Sequence, residues 1–172
     1  MTDPERTPDP TAIAERLPRG AGIVYRAFGA SDAPDRVRTL ALVARRRGLT
    51  LLIGADEQLA SAAQGIHLPE RLARRLPRIR ARHPRSLITA AAHSPLGVRK
   101  AARLGADAVL LSTVFESRSP SAGRPIGPVR LAAITRRSPV PVYALGGVDM
   151  KNARRLMASG AVGIAAVDAF RT

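Results

Sequence analysis

The sequence contains no cysteine and no tryptophan, and only 3% of its residues are aromatic. Without cysteine there is no disulfide, no thiolate nucleophile and no thiolate metal ligand. No apolar run reaches the roughly 20 residues that a membrane-spanning helix needs. Residues 1–6 are polar, so no secretory signal peptide is expected there. These features favour a cytoplasmic enzyme over a secreted protein.

The charge is strongly basic, with a formal net charge of +15. Seven arginines fall within residues 71–85, where Leu72, Leu76 and Ile79 recur at helical spacing. The pattern predicts an amphipathic helix with a basic outer face. Recognition of nucleic acid usually adds stacking aromatic side chains, and none interleaves with this cluster. We therefore expect a solvated helix face that attracts polyanions weakly, and no specific nucleic-acid partner.

The chain alternates short apolar runs with helical patterns and has no linker, so we expect residues 1–172 to form a single domain. Its 172 residues, 45% of them apolar, are enough to bury one core. Several runs are apolar at successive positions, as in parallel strands buried on both faces. The predicted strands are 22–28, 50–53, 65–68, 87–92, 108–115, 140–145 and 162–167. The predicted helices are 11–17, 33–46, 70–82, 95–104, 128–136 and 150–158.

Seven strands alternating with helices indicate a parallel α/β fold. An eighth strand is available at the start, where residues 1–3 have the character of a strand's end. The sequence thus predicts a compact (β/α)8 TIM barrel with the first strand and the last helix truncated. A shortened first strand leaves backbone groups on its neighbours unpaired. We expect a chain extended upstream to be more stable.

In such a barrel the functional groups gather where strands end and helices begin. Gly146 and Gly147 directly follow one predicted strand, and the glycine-containing segment 160–167 forms the next. Glycines there let backbone N–H groups approach a phosphate, although they also permit tight turns. Asp168 would repel a phosphate unless it is protonated, bridged by a metal or turned away as a helix cap.

A polar loop over residues 117–127 follows the strand that ends near Phe115. Its hydroxyl and guanidinium groups suit an anionic substrate, and a mobile surface loop is the other interpretation. The candidate residues are Ser117, Arg118, Ser119, Ser121 and Arg124.

Two histidines, His67 and His93, also stand at strand ends. Each is a candidate base or ligand, or else a structural group with a hydrogen-bond partner. Their spacing is not that of a helical metal-binding pair. The sequence contains no phosphate-binding P-loop, nucleophile elbow or dinucleotide fingerprint.

Six segments carry a resemblance to a known family: 65–68, 92–94, 105–109, 114–117, 141–148 and 160–167. Taken together, they resemble the thiamine phosphate synthase and thiazole tautomerase superfamily. The similarity covers about residues 50 to 170, and Val24-Tyr25-Arg26 adds a weaker match. The resemblance implies a (β/α)8 barrel. It also implies a transferase that couples hydroxymethylpyrimidine diphosphate to thiazole phosphate and releases diphosphate with the help of Mg²⁺.

The resemblance also implies a role for particular positions. Two sets are carried over: a phosphate set, which would meet the thiazole phosphate through backbone groups, and a diphosphate set. The phosphate set is Gly146, Gly147, Val167 and Asp168. The diphosphate set is Arg26, His93, Ser117 and Ser119.

Several family positions carry other residues in this sequence. The family's Asn-Asp-Arg reads Gly54-Ala55-Asp56, and a metal-binding acid falls on Leu72. The nearest carboxylates, Asp56 and Glu70, are therefore the candidate Mg²⁺ ligands. The family lysine falls on Pro120, so that Arg118 or Arg124 would replace it.

The segment 114–117 matches the tautomerase branch better than the synthase branch, yet the catalytic histidine of that branch aligns with Thr113. Two alternatives therefore stand beside the transferase: a thiazole tautomerase-like protein, and a non-catalytic relative that binds a phosphate ligand. In each case the expected partners are small phosphorylated pyrimidine and thiazole compounds.

Overall fold

Seven parallel strands form one curled sheet, and their order in the sheet is their order in the chain. The structure, a computed structural model, describes residues 1–119 and 122–168. Each of the seven strands predicted over residues 22–167 is present, which confirms the predicted parallel α/β architecture. The strands are β1 (Gly22–Tyr25), β2 (Thr50–Gly54), β3 (Gly65–Leu68), β4 (Leu87–Ala92), β5 (Ala108–Leu111), β6 (Val142–Leu145) and β7 (Gly163–Ala165).

Helices connect the strands and cover the outside of the curl. None of the helices within the described residues is long and apolar enough to cross a membrane. The α-helices are α1 (Pro10–Arg16), α2 (Ala33–Arg47), α3 (Leu76–Arg82), α4 (Pro95–Arg103) and α5 (Gly127–Thr135). Short 3-10 helices lie at Leu59–Ala62, Glu70–Arg75 and Ala153–Leu156.

The hydrophobic core lies between the outer face of the sheet and these helices. Leu51 and Ile53 of β2 belong to one buried cluster with Leu40 of α2. Ile88 of β4 and Ile79 of α3 belong to a second, larger cluster. Burying a side chain of this size contributes about 1.5–3 kcal/mol. The core therefore holds each strand firmly and fixes where its carboxyl end lies.

Residues 1–3 lie between β1 and β7, where the sequence predicts the end of a first strand. They form no strand, but their backbone contacts both edges of the sheet. The amide of Thr2 donates to the carbonyl of Val24 at 2.9 Å, and the nitrogen of Met1 donates to the carbonyl of Ala166 at 2.9 Å. These bonds bring the two edge strands of the curl together.

The helix predicted over residues 70–82 is divided into a 3-10 turn and α3. Pro77 lies at the start of α3 and lacks the N–H group that a continuous helix would use. The predicted apolar face is nevertheless present, because Leu76 and Ile79 are buried. Most of the intervening arginines point outward, as expected for a solvated face.

The helix predicted over residues 150–158 is wrong, because only the 3-10 helix Ala153–Leu156 forms there. Met150 and Met157 are 78% and 85% exposed, and Leu156 is the buried apolar side chain of the 3-10 helix. Short helices depend on tertiary packing of an apolar face, and one buried side chain supplies little of it.

Gly65 provides a test of the strand packing. A Cβ atom at Gly65 would lie 1.9 Å from the carbonyl oxygen of Leu87. We expect Gly65→Ala to lower the free energy of unfolding by about 3 kcal/mol or to prevent folding, because β3 and β4 would be forced apart. Gly22→Ala is the matched control, since its nearest contact would be 3.9 Å away. Urea titrations of the two variants should differ, and equal stabilities would contradict this account of the packing.

Candidate functional site

A cavity of about 450 Å³ opens at the carboxyl ends of the strands. Eight of the predicted site residues line it: Arg26, Ser117, Arg118, Ser119, Gly146, Gly147, Val167 and Asp168. The carboxyl ends of parallel strands meet at one edge of a sheet, which explains how distant segments come together. The other lining residues are Met1, Arg6, Ser112, Thr113, Glu116, Ala122, Leu145, Val148, Asp149 and Ala166.

Gly146 and Gly147 allow two loops to pack against each other. Both have a positive φ, 94° and 65°. A Cβ at Gly146 would lie 2.9 Å from the Thr113 side chain, and one at Gly147 would lie 2.1 Å from the carbonyl oxygen of Glu116. The loop after β6 thus rests directly on the loop after β5. Close packing alone requires these glycines, whether or not a phosphate binds.

The loop after β6 and the segment after β7 also present backbone donors. Within residues 1–119 and 122–168, no protein acceptor is found for the amides of Gly147, Val148 and Val167. All three residues line the cavity. Backbone N–H groups that line one cavity suit an anionic oxygen. Because the predicted helix after Gly147 does not form, a helix dipole adds nothing here.

The loop after β5 is tied back to Thr113. The amide of Gly123 donates to the Thr113 hydroxyl at 3.2 Å, and that of Ile126 donates to the Thr113 carbonyl at 3.0 Å. Ser117 accepts a bond from the amide of Ser119 at 3.2 Å. Arg118 is exposed at the cavity wall, whereas Arg124 is exposed outside it. Of the other candidates here, Pro120 and Ser121 lie outside the described residues.

Arg26 is a fixed positive charge on the opposite wall. Its Nε donates to the carbonyl of Thr2 at 2.6 Å, and its Nη2 donates to the Asp3 carboxylate at 3.1 Å. A Cβ at position 54 would lie 2.9 Å from Arg26 Cγ, so Gly54 leaves room for this side chain. Burial lowers the pKa of Arg26 and Asp3 opposes that shift. An arginine remains charged at neutral pH.

Arg6 lines the same cavity, and the sequence analysis does not identify it. Its guanidinium pairs with Asp3 at 3.3 Å and with Asp168 at 3.2 Å. It lies in the turn before α1 rather than at the end of a predicted strand. The one sequence feature that could have identified Arg6 is its position three residues after Asp3. The helix that Asp168 would cap involves residues outside the described part of the chain.

His93 is exposed and does not line the cavity, but it faces Ser112, which does. Its Nδ1 is 3.2 Å from the Ser112 carbonyl oxygen and 3.1 Å from the Ser112 hydroxyl. Its backbone amide donates to the Glu70 carboxylate at 2.8 Å. Glu70 therefore fixes the start of the loop after β4, and His93 reaches the cavity wall through Ser112.

His67 lies inside the curl rather than in the cavity. It is buried, and its Nδ1 is 2.9 Å from the hydroxyl of Thr89. Burial, with the positive charge of Arg26 as a smaller cause, lowers the pKa of His67 to about 4. His67 is thus a neutral structural group with a hydrogen-bond partner.

The expected magnesium ligands do not meet in the cavity. Asp56 accepts from the amides of Gln58 and Leu59, both at 3.0 Å, and so caps the following 3-10 helix. The Glu70 carboxylate accepts a hydrogen bond from the backbone amide of His93. Among the residues that the structure describes, no three acidic or histidine side chains are grouped to bind a metal. These side chains do not fit a protein-held Mg²⁺ site.

The buried histidine predicts a pH dependence of stability. Because the pKa of His67 is about 4 in the folded state and 6.5 in the reference state, its contribution is present above pH 6.5. It is lost as the pH falls from 6.5 to 4, by about 3 kcal/mol in all. Thermal melting should show that acidification destabilises His67→Asn less than the parent. His83→Asn, at the end of α3, is the control. An identical acid response in all three proteins would contradict the assignment.

The sequence model of the family described as thiamine monophosphate synthase matches residues 2–170. A thiamine-phosphate synthase from Chloroflexus aurantiacus is 35% identical over 161 residues, 87% of this chain and 72% of the relative. One from Methylobacillus flagellatus is 32% identical over 182 residues, 96% of this chain and 85% of the relative. A relative from Aquifex aeolicus is 34% identical over 120 residues, 67% of this chain but only 61% of its own length.

Solved structures agree with this relationship. The thiamine phosphate pyrophosphorylase from Pyrococcus furiosus superposes with a TM-score of 0.82 and 26% identity, over 96% of this chain and 82% of that one. The match to the family model extends over nearly the whole sequence, and the structural match includes the sheet that builds the cavity. The chain belongs to the thiamine monophosphate synthase family.

Proposed function

We propose that this chain is a transferase of thiamine biosynthesis that joins hydroxymethylpyrimidine diphosphate to thiazole phosphate and releases diphosphate. One observation carries the proposal. A single cavity has backbone donors on one wall, and hydroxyl and guanidinium groups on the others. That arrangement suits two phosphorylated ligands held side by side. Family membership and relatives named thiamine-phosphate synthase support it.

The thiazole phosphate is assigned to the loop after β6 and the segment after β7. The amides of Gly147, Val148 and Val167 would donate to its phosphate oxygens, since no described protein group uses them. Held at its phosphate end, the thiazole would keep its ring within the cavity. Its nitrogen would then be oriented toward the second substrate.

The diphosphate is assigned to Arg26 and to the loop after β5. In the reaction the bond between the pyrimidine methylene carbon and the diphosphate oxygen breaks, and that oxygen keeps the electron pair. The thiazole nitrogen forms the new bond to the methylene carbon. Positioned donors such as Arg26, Arg118 and Ser117 would stabilise the charge that develops on the leaving oxygen. Ser119 would contact the same group.

His93 would act through Ser112 at the edge of the diphosphate site. Its contacts with the Ser112 hydroxyl and carbonyl hold this part of the wall in one orientation. Magnesium, when bound to a diphosphate, supplies countercharge. No step is assigned to it here, because Asp56 and Glu70 are engaged by backbone amides.

A second candidate function is the binding of phosphate ligands without catalysis, by a non-catalytic relative of the family. The observation that favours it is that, among the described residues, no three acidic or histidine side chains are grouped to bind a metal. The tautomerase alternative is less well supported. Thr113 stands at that branch's catalytic histidine position, and its hydroxyl is buried and bonded to the amide of Gly123.

We also propose that the protein is cytoplasmic, where small phosphorylated metabolites occur. We propose that it has no specific nucleic-acid partner. Three arginines of the basic segment are in ion pairs within the chain. Arg75 and Arg82 pair with Glu57, and Arg80 pairs with Asp107. These pairs reduce the free charge of that face.

Arg118 and Arg124 test the proposal because both are exposed and belong to one loop, but only Arg118 lines the cavity. Arg118→Gln should lower kcat/KM for the pyrimidine diphosphate by at least about tenfold, since it removes a charge-assisted hydrogen bond. Arg124→Gln should stay near the parent value. Thiamine phosphate formation is measured by chromatography, with melting temperatures to verify folding.

Equal losses in the two variants would contradict the assignment of Arg118. A folded parent that binds both substrates but forms no thiamine phosphate, with or without Mg²⁺, would overturn the transferase proposal in favour of the binding relative.

A further inference from the structure

The loop after β1 contains a residue in an unfavourable backbone conformation. The amide of Ala30 donates to the carbonyl of Ala27 at 3.0 Å and closes a turn. Its two central residues, Phe28 and Gly29, have φ values of 49° and 81°, the pattern of a type I′ turn. Such turns favour Asn-Gly, because a bulky side chain is strained at a positive φ. The strain at Phe28 therefore points to a contact that holds the residue in place.

Burial in the core is not that contact, because Phe28 is 65% exposed. Instead, the guanidinium carbon of Arg26 lies over the Phe28 ring, 4.9 Å from the ring centroid. A cation at this distance is attracted to the face of an aromatic ring. The turn thus directs the ring of Phe28 back onto the arginine that follows β1.

Arg26 is also held by Thr2 and Asp3, and it lines the cavity. Its Nε donates to the carbonyl of Thr2, and its Nη2 donates to the Asp3 carboxylate. Within the described part of the chain, Nη1 of Arg26 has no protein acceptor. A guanidinium has five N–H donors, so several of them remain for a ligand.

We propose that Phe28 is a positioning residue that orders the guanidinium of Arg26 for the diphosphate. Without the ring, Arg26 keeps its charge and its bonds to Thr2 and Asp3, but the face that Phe28 covers is open to water. Ordering the side chain on a ligand then costs more conformational entropy. The inference rests on the proposed function, because it uses Arg26 as a ligand of the diphosphate.

The role of Phe28 predicts which ligand a substitution affects. Binding of a diphosphate should weaken, because Arg26 is among its proposed contacts. Binding of thiazole phosphate should not change, since that ligand is assigned to backbone amides of the loop after β6 and the segment after β7. A merely structural role of Phe28 would affect both ligands alike.

The test is isothermal titration calorimetry with inorganic diphosphate, hydroxymethylpyrimidine diphosphate and thiazole phosphate, each titrated alone. Phe28→Leu keeps an apolar side chain but lacks the aromatic face. It should weaken binding of both diphosphates by about three- to fivefold and leave binding of thiazole phosphate unchanged. Phe28→Tyr keeps the ring and should stay within about twofold of the parent.

Two further variants separate positioning from stability. Phe28→Asn supplies the residue that the turn favours, so it should melt at or above the parent temperature. It should nevertheless bind the diphosphates as weakly as Phe28→Leu. Ala55→Gly is the matched control, since Ala55 also has a positive φ, 62°, and does not line the cavity. It should keep the parent affinity for all three ligands.

The proposal is overturned if Phe28→Leu binds inorganic diphosphate as the parent does, or if it weakens thiazole phosphate equally. Weakening confined to the pyrimidine compound would also overturn it, because that indicates direct stacking of Phe28 on the pyrimidine ring. A parent that binds no diphosphate overturns both this proposal and the transferase function. If the expected pattern is found while no thiamine phosphate is formed, the role of Phe28 stands and the transferase function fails.

Discussion

The carboxylate of Asp3 holds both arginines that its side of the cavity contributes. One of its oxygens pairs with Arg6 and Arg26, and its other oxygen accepts the amide of Arg6. The residue before it, Thr2, bonds to β1 and to the Arg26 side chain. The short segment that brings the edge strands together is therefore also the segment that positions the positive charge. Fold and site depend here on the same few bonds.

The opposite wall depends on close packing rather than on charge. Gly147 lies against the backbone of Glu116, and Gly146 lies against Thr113. The donors of the loop after β6 and the hydroxyls of the loop after β5 are thus parts of one packed unit. This arrangement keeps the two proposed phosphate sites at a fixed separation, as a reaction between two bound ligands requires.

Strands are the part of this fold that the sequence predicts best, because buried parallel strands are short runs of successive apolar residues. The residues at their ends, such as Arg26 and Gly147, are predictable for the same reason. Residues 150–158 include turn residues that suit the start of a helix, but the segment buries too little apolar surface to stabilise one. Asp56 and Glu70 are candidate metal ligands in the sequence, but in the fold each carboxylate accepts a hydrogen bond from a backbone amide, a nearby one for Asp56 and that of His93 for Glu70. The sequence does not identify Arg6 as a site residue, because its partner Asp168 is distant in the chain and only folding brings the two together.

The contact between the two loops has a thermodynamic consequence. Thr113 anchors one loop at Gly123 and Ile126 and touches Gly146 of the other, so ordering either loop restricts its neighbour. On the proposed function, the first ligand to bind would bear the entropy loss of the shared wall, and the second would bind to a wall that is already ordered. The two unlike ligands would therefore bind with positive cooperativity. By linkage, each ligand must strengthen the binding of the other by the same factor.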